Sequence, residues 1–442
     1  MRYSDRSGKT KYSARDKSGS GAVTLGRSGV MSDIADLRDT GYERVTTGID
    51  RPFLVLFLVL IVIGSVMLFS ASYVFADSRT GDSLYYIRRH IIFLVIGGFA
   101  ALFGFLWPYT IYKKYAEIIF IVVCVTLVAV LLVGVSEGSA VRWIDFKLFT
   151  FQPSDAMKFS IVVLMAKYFD TLERRESGAK MSYRIRKIEM SREFVFEAAV
   201  PMLIIMVSSG LVMLERHLSG TIIVAFLGLC VYIAGGGKKR WAALFSGIAA
   251  GLLAIYLAIS GGYQSNRILV WMNPEKYPRD GGWQTIQGMY AIGSGGLLGV
   301  GLGNSRLKYG YASMPHNDFV FSIVCEELGF IGAMAIIALF GLLVWRGFVI
   351  AMRAPDKFSS LVAIGISSQI AIQVLLNIAV VTNTIPNTGI SLPFFSYGGT
   401  AIIILMFEIG VMLKISKHSY RKKTSEDDDE SDNDRRRHGR AH

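Results

Sequence analysis

Apolar and polar residues alternate in long blocks along this chain. Ten stretches are dominated by Leu, Ile, Val, Phe and Ala: residues 52–76, 89–108, 115–134, 154–171, 195–214, 219–236, 241–260, 319–346, 358–382 and 399–416. Blocks of about 20 apolar residues match a hydrocarbon core about 30 Å thick, crossed by a helix rising about 1.5 Å per residue. Within each block the apolar run is continuous rather than alternating, which excludes a transmembrane β-barrel. The expected fold is an all-α polytopic membrane protein of about ten transmembrane helices, with a large extracytoplasmic loop, 261–318, between the seventh and eighth. An even number of crossings puts both termini on one side.

The polar connections set the orientation. Loop 172–194 holds Arg174, Arg175, Lys180, Arg184, Arg186, Lys187 and Arg192. Lys113, Lys114, Lys238, Lys239, Arg240, Arg346, Arg353 and Lys357 bring the connections on that side to fifteen basic residues. The short loops opposite hold far fewer, among them Arg142, Lys147 and Arg216. Basic loops stay in the cytoplasm, so both termini are expected there, and loops 77–88, 135–153, 215–218, 261–318 and 383–398 face outward. Segments 1–50 and 417–442 lack a period that could pack, and read as disordered charged cytoplasmic tails flanking a membrane domain over 51–416. This distribution accounts for the net charge of +13 without nucleic acid. No cleavable signal peptide is expected, because the first apolar block is full length. Cys124, Cys230 and Cys325 each fall within an apolar block and imply neither disulfides nor a metal cluster.

Three stretches hold candidate chemistry. The first is Pro315-His316-Asn317-Asp318-Phe319, running into Glu326 and Glu327. Asp318 reads either as the cap of the eighth span or as a carboxylate at the mouth of an outer cavity, poised as a general base. Glu326 and Glu327 fall about 12–14 Å deeper along a helix. They pair with Lys158 or fix the span by hydrogen bonding, because intramembrane carboxylates are costly and kept for a reason. The second stretch holds Arg142-Trp143 and Lys158, with Trp143 readable as an interfacial anchor and Lys158 about one turn into the fourth span. The third runs from Thr384 to Thr400 and includes Pro393, Ser396, Tyr397, Gly398 and Gly399. Its prolines and glycines predict a broken, partly re-entrant segment, which requires a cavity, since irregular backbone at membrane depth must be buried in protein or line one. Ser396 has no His–acid pair beside it and reads as a structural hydroxyl. His316 and His217 are isolated, without metal-ligand spacing. The glycine-dense run 291–305 lacks the Lys-Ser/Thr ending of a phosphate loop and reads as a short helix or re-entrant piece at the outer interface.

Together these motifs resemble the SEDS family (shape, elongation, division and sporulation), the group of FtsW, RodA and SpoVE. The resemblance rests on Arg142-Trp143-Ile144, Phe151-Gln152-Pro153-Ser154 with Lys158, Gly293-Ser294-Gly295-Gly296, Gly301-Leu302-Gly303-Asn304-Ser305, Pro315 to Phe319, Glu326-Glu327-Leu328-Gly329, and Gly389 to Thr400. The Gly-Leu-Gly-Asn-Ser-Arg run looks closer to the FtsW and SpoVE branch. The chain departs from the pattern at Arg216-His217-Leu218-Ser219-Gly220-Thr221, where the family often shows Pro-Asp-Leu-Gly-Thr. Asn317 replaces the usual Thr and leaves the acid intact.

The resemblance implies a peptidoglycan glycosyltransferase in the bacterial cytoplasmic membrane, polymerising lipid II at the outer face during cell division or a related wall-building process. A lipid II flippase and a non-catalytic division scaffold are the alternatives. It implies a class B penicillin-binding protein as partner, with other division or elongation proteins. It also implies a divalent cation such as Mg or Mn with ligands unassigned, and no nucleotide or organic cofactor. Asp318 carries over as the essential catalytic carboxylate and Trp143 as an important residue. Arg89, Arg142 and Lys158 are candidates for stabilising the pyrophosphate, with His316 and Ser396 beside the substrate. Glu326, Glu327, Pro393, Tyr397, Gly398 and Gly399 would support the cavity.

Overall fold

A computed structural model describes residues 42–45, 48–137, 140–145, 150–178, 194–259, 263–277, 282–310 and 316–422. The expected tails lie mostly outside these residues, as do Pro315 and much of loop 172–194. Each of the ten apolar blocks falls on a helix. These are α1 (Arg51–Thr80), α2 (Tyr85–Leu106), α4 (Ala116–Val133), α5 (Pro153–Gly178), α6 (Val200–Leu214), α7 (Leu218–Ala234), α8 (Lys239–Ile259), α11 (Val320–Met352), α12 (Lys357–Val381) and α13 (Gly399–Ser416). A π-helical turn, Val195–Ala199, leads into α6. Shorter helices are α3 (Tyr109–Lys114), α9 (Tyr263–Met272) and α10 (Trp283–Ser294). Among the described residues, six helices are long and apolar enough to cross a membrane: α1, α2, 195–214, α11, α12 and α13. The molecule is thus a polytopic helical membrane protein.

Exposure follows the bilayer. Leu132, Phe99, Leu214 and Leu375 lie 64–81% open on the outside of the bundle, where lipid rather than water covers them. The interior is built on α5, α12 and α13. The most extensive helix pair is α2 against α13. It forms because Gly410 lets the backbones touch: a methyl there would sit 2.0 Å from the Ala101 carbonyl oxygen. Without a hydrophobic drive between helices in lipid, such close packing holds them together.

Two features were not expected from the sequence. Loop 135–153 is partly strand, with β2 (Val135–Glu137), β3 (Ala140–Asp145) and β4 (Thr150–Phe151) in an antiparallel sheet of order β2-β3-β4. Pairing neighbouring segments satisfies their amides where the chain leaves the helices. And β1 (Tyr42–Val45) pairs antiparallel with β5 (Ser419–Lys422), joining the two ends of the chain beside the bundle.

Helix α11 is broken at Gly329, which has φ 67° and ψ −171°. The glycine-dense run repairs the break. Val300 and Gly301 N–H donate to the Glu326 and Glu327 carbonyls (2.9 and 3.1 Å), and Phe330 and Ile331 N–H donate to Gly296 and Leu297 (2.9 and 3.2 Å). Groups that lose their helical partners thus find new ones, as burial demands. Leu297 and Leu298 project outward, 69% and 79% exposed, so the run is an apolar surface piece as its sequence predicts.

Candidate functional site

The segment 386–398 has no regular structure and is largely buried. Its Pro393-Phe394-Phe395 turn wedges between α1 and α11. Phe394 adopts φ 65°, rare for a bulky side chain. Its ring packs edge-on against Phe57 at 5.5 Å and stacks near Phe340 at 6.4 Å. Its carbonyl presses on Gly64, where a Cβ would approach to 2.4 Å. Gly64 lies about 20 Å from the start of α1, near its middle. Irregular backbone therefore reaches membrane depth, and a cavity adjoins it as the sequence requires. Lys158, Asp155, Gln369, Gln373, Pro393 and Ser396 line that cavity, whose water-accessible volume is about 30 Å³.

This segment clasps the turn 316–319. Tyr397 N–H donates to the His316 carbonyl (2.9 Å), and Ser396 Oγ donates to Asn317 O (2.7 Å) while accepting from Leu392 N–H (2.8 Å). Asn377 Nδ2, near the C-terminal end of α12, donates to both Asp318 O (2.9 Å) and Ile390 O (2.7 Å). Three hydrogen bonds thus hold the carbonyls of His316, Asn317 and Asp318. The half-buried carboxylate faces Gly389, where a Cβ would sit 3.3 Å from Oδ2. Helix α11 starts at Phe319 without a side-chain cap. The cap position is Phe319, so Asp318 is not itself the N-cap residue of α11.

An aromatic cluster closes one side. The His316 ring lies 4.3 Å from Tyr86, 5.0 Å from Phe75 and 5.9 Å from Tyr397. Burial lowers its pKa to about 4, so it is neutral near pH 7. Arg89 donates to Tyr85 Oη (2.7 Å) and hydrogen-bonds the Tyr397 hydroxyl. The site thus gains a cation held by two phenols. The Tyr397 pKa is raised, chiefly by burial. Gly398 precedes α13 in extended conformation and Gly399 packs on Phe93, aiming the helix at this site.

A second polar cluster adjoins the cavity. Lys158 binds Asp155 (2.7 Å), with both side chains buried. The expected pairing of Lys158 with Glu326 or Glu327 is therefore corrected, because a nearer carboxylate one turn away takes the lysine. Arg142 and Trp143 are half-buried on β3, and Arg142 Nη2 donates to Arg216 O (2.9 Å). His217 Nδ1 lies 3.2 Å from Ser154 Oγ and 3.3 Å from Gln152 Nε2. Burial, then Arg142, Lys158 and Arg267, push its pKa well down. Glu215, 1% exposed, has neither carboxylate oxygen hydrogen-bonded. Burial raises its pKa to about 8 against the pull of Arg142, with Asp155 adding to the rise.

Glu326 and Glu327 lie elsewhere, under the glycine-dense run. Glu327 accepts from Ser70 Oγ (2.7 Å), Ser305 N–H (3.2 Å) and Lys308 Nζ (3.1 Å), the last pair fully buried. Glu326 accepts from Ser305 Oγ and from Arg306 N–H (3.0 Å). Both hold the loop onto α11.

Sequence reasoning missed Asn377, Lys308, Glu215, Arg267 and Glu408. Two of these carried a signal. Glu408 is a carboxylate inside the last apolar block, held by Gln369 Nε2 at 2.8 Å, and Asn377 is an amide inside another. Lys308 and Arg267 sit in a loop where nothing in the sequence marks burial or reach. Arg267 donates to Asn387 O (2.9 Å), and Trp271 Nε1 donates to Asn383 O (2.9 Å), so α9 braces the clasping segment. Among the described residues no three His, Cys, Asp or Glu side chains are arranged to hold a metal ion. The cation implied by the resemblance has no ligand set ready there.

Fold and site together define a polytopic membrane protein with a polar cavity reached by irregular backbone. The sequence profile described as "Cell cycle protein" (FtsW, RodA, SpoVE) matches residues 51–421. The chain belongs to the FtsW/RodA/SpoVE family. It is 36% identical to stage V sporulation protein E of Bacillus subtilis over 84% of this chain and 98% of that protein. It is 35% identical to the probable peptidoglycan glycosyltransferase FtsW of Trichlorobacter lovleyi, over 83% and 93% of the two chains. Among solved structures, a chain from work on structural coordination of polymerization and crosslinking by a peptidoglycan synthase complex superposes with TM-score 0.66 at 25% identity, covering 84% and 98%. The rod shape determining protein RodA of Thermus thermophilus shares the fold, with TM-score 0.60 at 24% identity, covering 84% and 97%.

Proposed function

We propose that this protein is a peptidoglycan glycosyltransferase that polymerises lipid II at the outer face of the cytoplasmic membrane. Relatives named FtsW carry that activity in their names. The observation that carries the reading is Asp318: a half-buried carboxylate in a turn whose backbone carbonyls accept hydrogen bonds from two elements, beside a segment of irregular backbone that reaches membrane depth.

In this reading ten spans place both termini in the cytoplasm. The acceptor sugar hydroxyl attacks the anomeric carbon of the donor. Asp318 takes its proton, the new C–O bond forms, and the bond to the pyrophosphate breaks. Attack opposite the leaving group inverts the anomeric centre. Arg89 stands beside Asp318's clasp, Lys158 lines the cavity, and Arg142 lies on β3. They would offset the negative charge that grows on the departing pyrophosphate, which is where preorganised donors act most. Trp143 on β3 and the His316 cluster would line the sugars. A class B penicillin-binding protein would cross-link the product. No step is routed through a cation.

The test is turnover of lipid II by the purified protein with its transpeptidase partner. Asp318→Ala should lose polymerisation by at least about 10²-fold while melting like wild type, the scale of an essential base. Wild-type turnover by that variant removes Asp318 as base. Vesicle flipping by the same variant would favour transport instead.

A further inference from the structure

The inner ends of the helices frame a cavity of about 380 Å³ that the proposed chemistry leaves unused. Asp50, Arg51, Arg346, Ile350, Arg353 and Ser416 line it, so the start of α1 meets the ends of α11 and α13. Three guanidinium groups face one carboxylate. That carboxylate is already engaged. Asp50 Oδ1 caps α1 at Phe53 N–H (3.0 Å), and both oxygens accept from Arg346 Nε (2.9 and 3.0 Å). Asp50 N–H in turn donates to Ser416 Oγ (3.2 Å). Arg51 and Arg353 make no side-chain hydrogen bond or ion pair among the described residues, and both are exposed. Two cations therefore stand unopposed at one mouth.

Position says what would join them. Arg51 is the first residue of a 30-residue apolar helix, and Arg353 follows the last turn of another. Arg346, Ile350 and Arg353 share one stripe of α11. The adjoining stripe carries Leu342, Trp345 and Met352, 44%, 61% and 57% exposed. An exposed Trp beside apolar residues marks the level where hydrocarbon gives way to head groups. Arginines at that level match the planar, bidentate demands of a phosphate oxygen pair, and cytoplasmic basic pockets between spans suit anionic head groups.

We propose that this cavity binds the phosphodiester head group of an anionic phospholipid, with Arg51 and Arg353 contacting the phosphate and the acyl chains lying along the Leu342–Trp345–Met352 stripe. The site lies at the opposite end of the bundle from Asp318, and the proposal stands whether or not that residue is the base.

Native mass spectrometry of the delipidated full-length protein in detergent tests it independently of orientation. Phosphatidylglycerol should be retained several-fold more than phosphatidylcholine of equal chain length. Arg51→Gln/Arg353→Gln should abolish the preference, and the Lys pair should restore part of it. Arg353→Gln alone, at an exposed position, should halve it or more if the double variant folds poorly. Equal phosphatidylglycerol retention by wild type and the Gln variants overturns the proposal. So does complete displacement by millimolar inorganic phosphate, which would make the site one for the free ion. So does retention that appears only after deleting 423–442, which would make the acidic stretch Glu426 to Asp434 the occupant.

Discussion

One buried ion pair and two titratable groups that burial holds neutral show how single residues are managed in a low-dielectric bundle. Lys308 and Glu327 form a fully enclosed pair. Removing one partner strands the other, so Lys308→Met should destabilise on the order of 3–5 kcal/mol. Lys308→Met with Glu327→Leu should recover a large part, and thermal melts of both variants check it. Glu215 is the opposite case, a carboxyl kept neutral by burial. Its folded pKa of about 8 lies above the unfolded value, so the stability it contributes is complete below that unfolded value and fades as pH rises through about 8. Glu215→Gln should therefore melt like wild type near pH 5 and above wild type at pH 9. A constant difference across that range would mean that Glu215 is not held neutral. His316 runs the other way. Its lowered pKa means stability is present at neutral pH and falls as pH drops toward about 4.

At the scale of elements, the break in α11 is the feature with the sharpest local test. Gly329 holds φ 67°, and a Cβ there would meet Gly299 N at 2.3 Å and Leu297 O at 2.6 Å. Gly329→Ala should cost at least about 1–2 kcal/mol from backbone conformation alone, before the clash is counted. Amide exchange would then rise at Val300 and Gly301, whose bonds cross the break. Unchanged exchange would show that the glycine-dense run does not depend on the break. The helices themselves were legible in the sequence, because hydrophobic block length is set by the bilayer. The broken segment 386–398 was legible for the same reason, since Pro393 and the glycines cannot continue a helix. The β2–β3–β4 sheet was not, because Arg142-Trp143-Ile144 alternates too briefly for periodicity to register.

At the scale of the molecule, the sequence grouped the candidate residues by motif, but not by neighbour. Asp318, His316, Ser396, Tyr397 and Arg89 lie in three separate stretches, and the structure brings them to one place. Nothing in the sequence tied Lys158 to Asp155 rather than to a deeper glutamate, because both distances along the chain are compatible with contact. The inner arginines show the same limit. Topology explains why they are cytoplasmic in the proposed orientation, whereas only the fold shows that Arg51 and Arg353 converge without a counter-charge.

The sealed break has a mechanical meaning. At one end of the head of α11, from Val320 to Leu328, the carbonyls of Glu326 and Glu327 accept from the glycine-dense run. At the other end, the carbonyls of Asn317 and Asp318 accept from Ser396 and Asn377. The head is therefore pinned at both ends by chain from outside its own helix, and the position of Asp318 is set by three separate stretches of sequence at once.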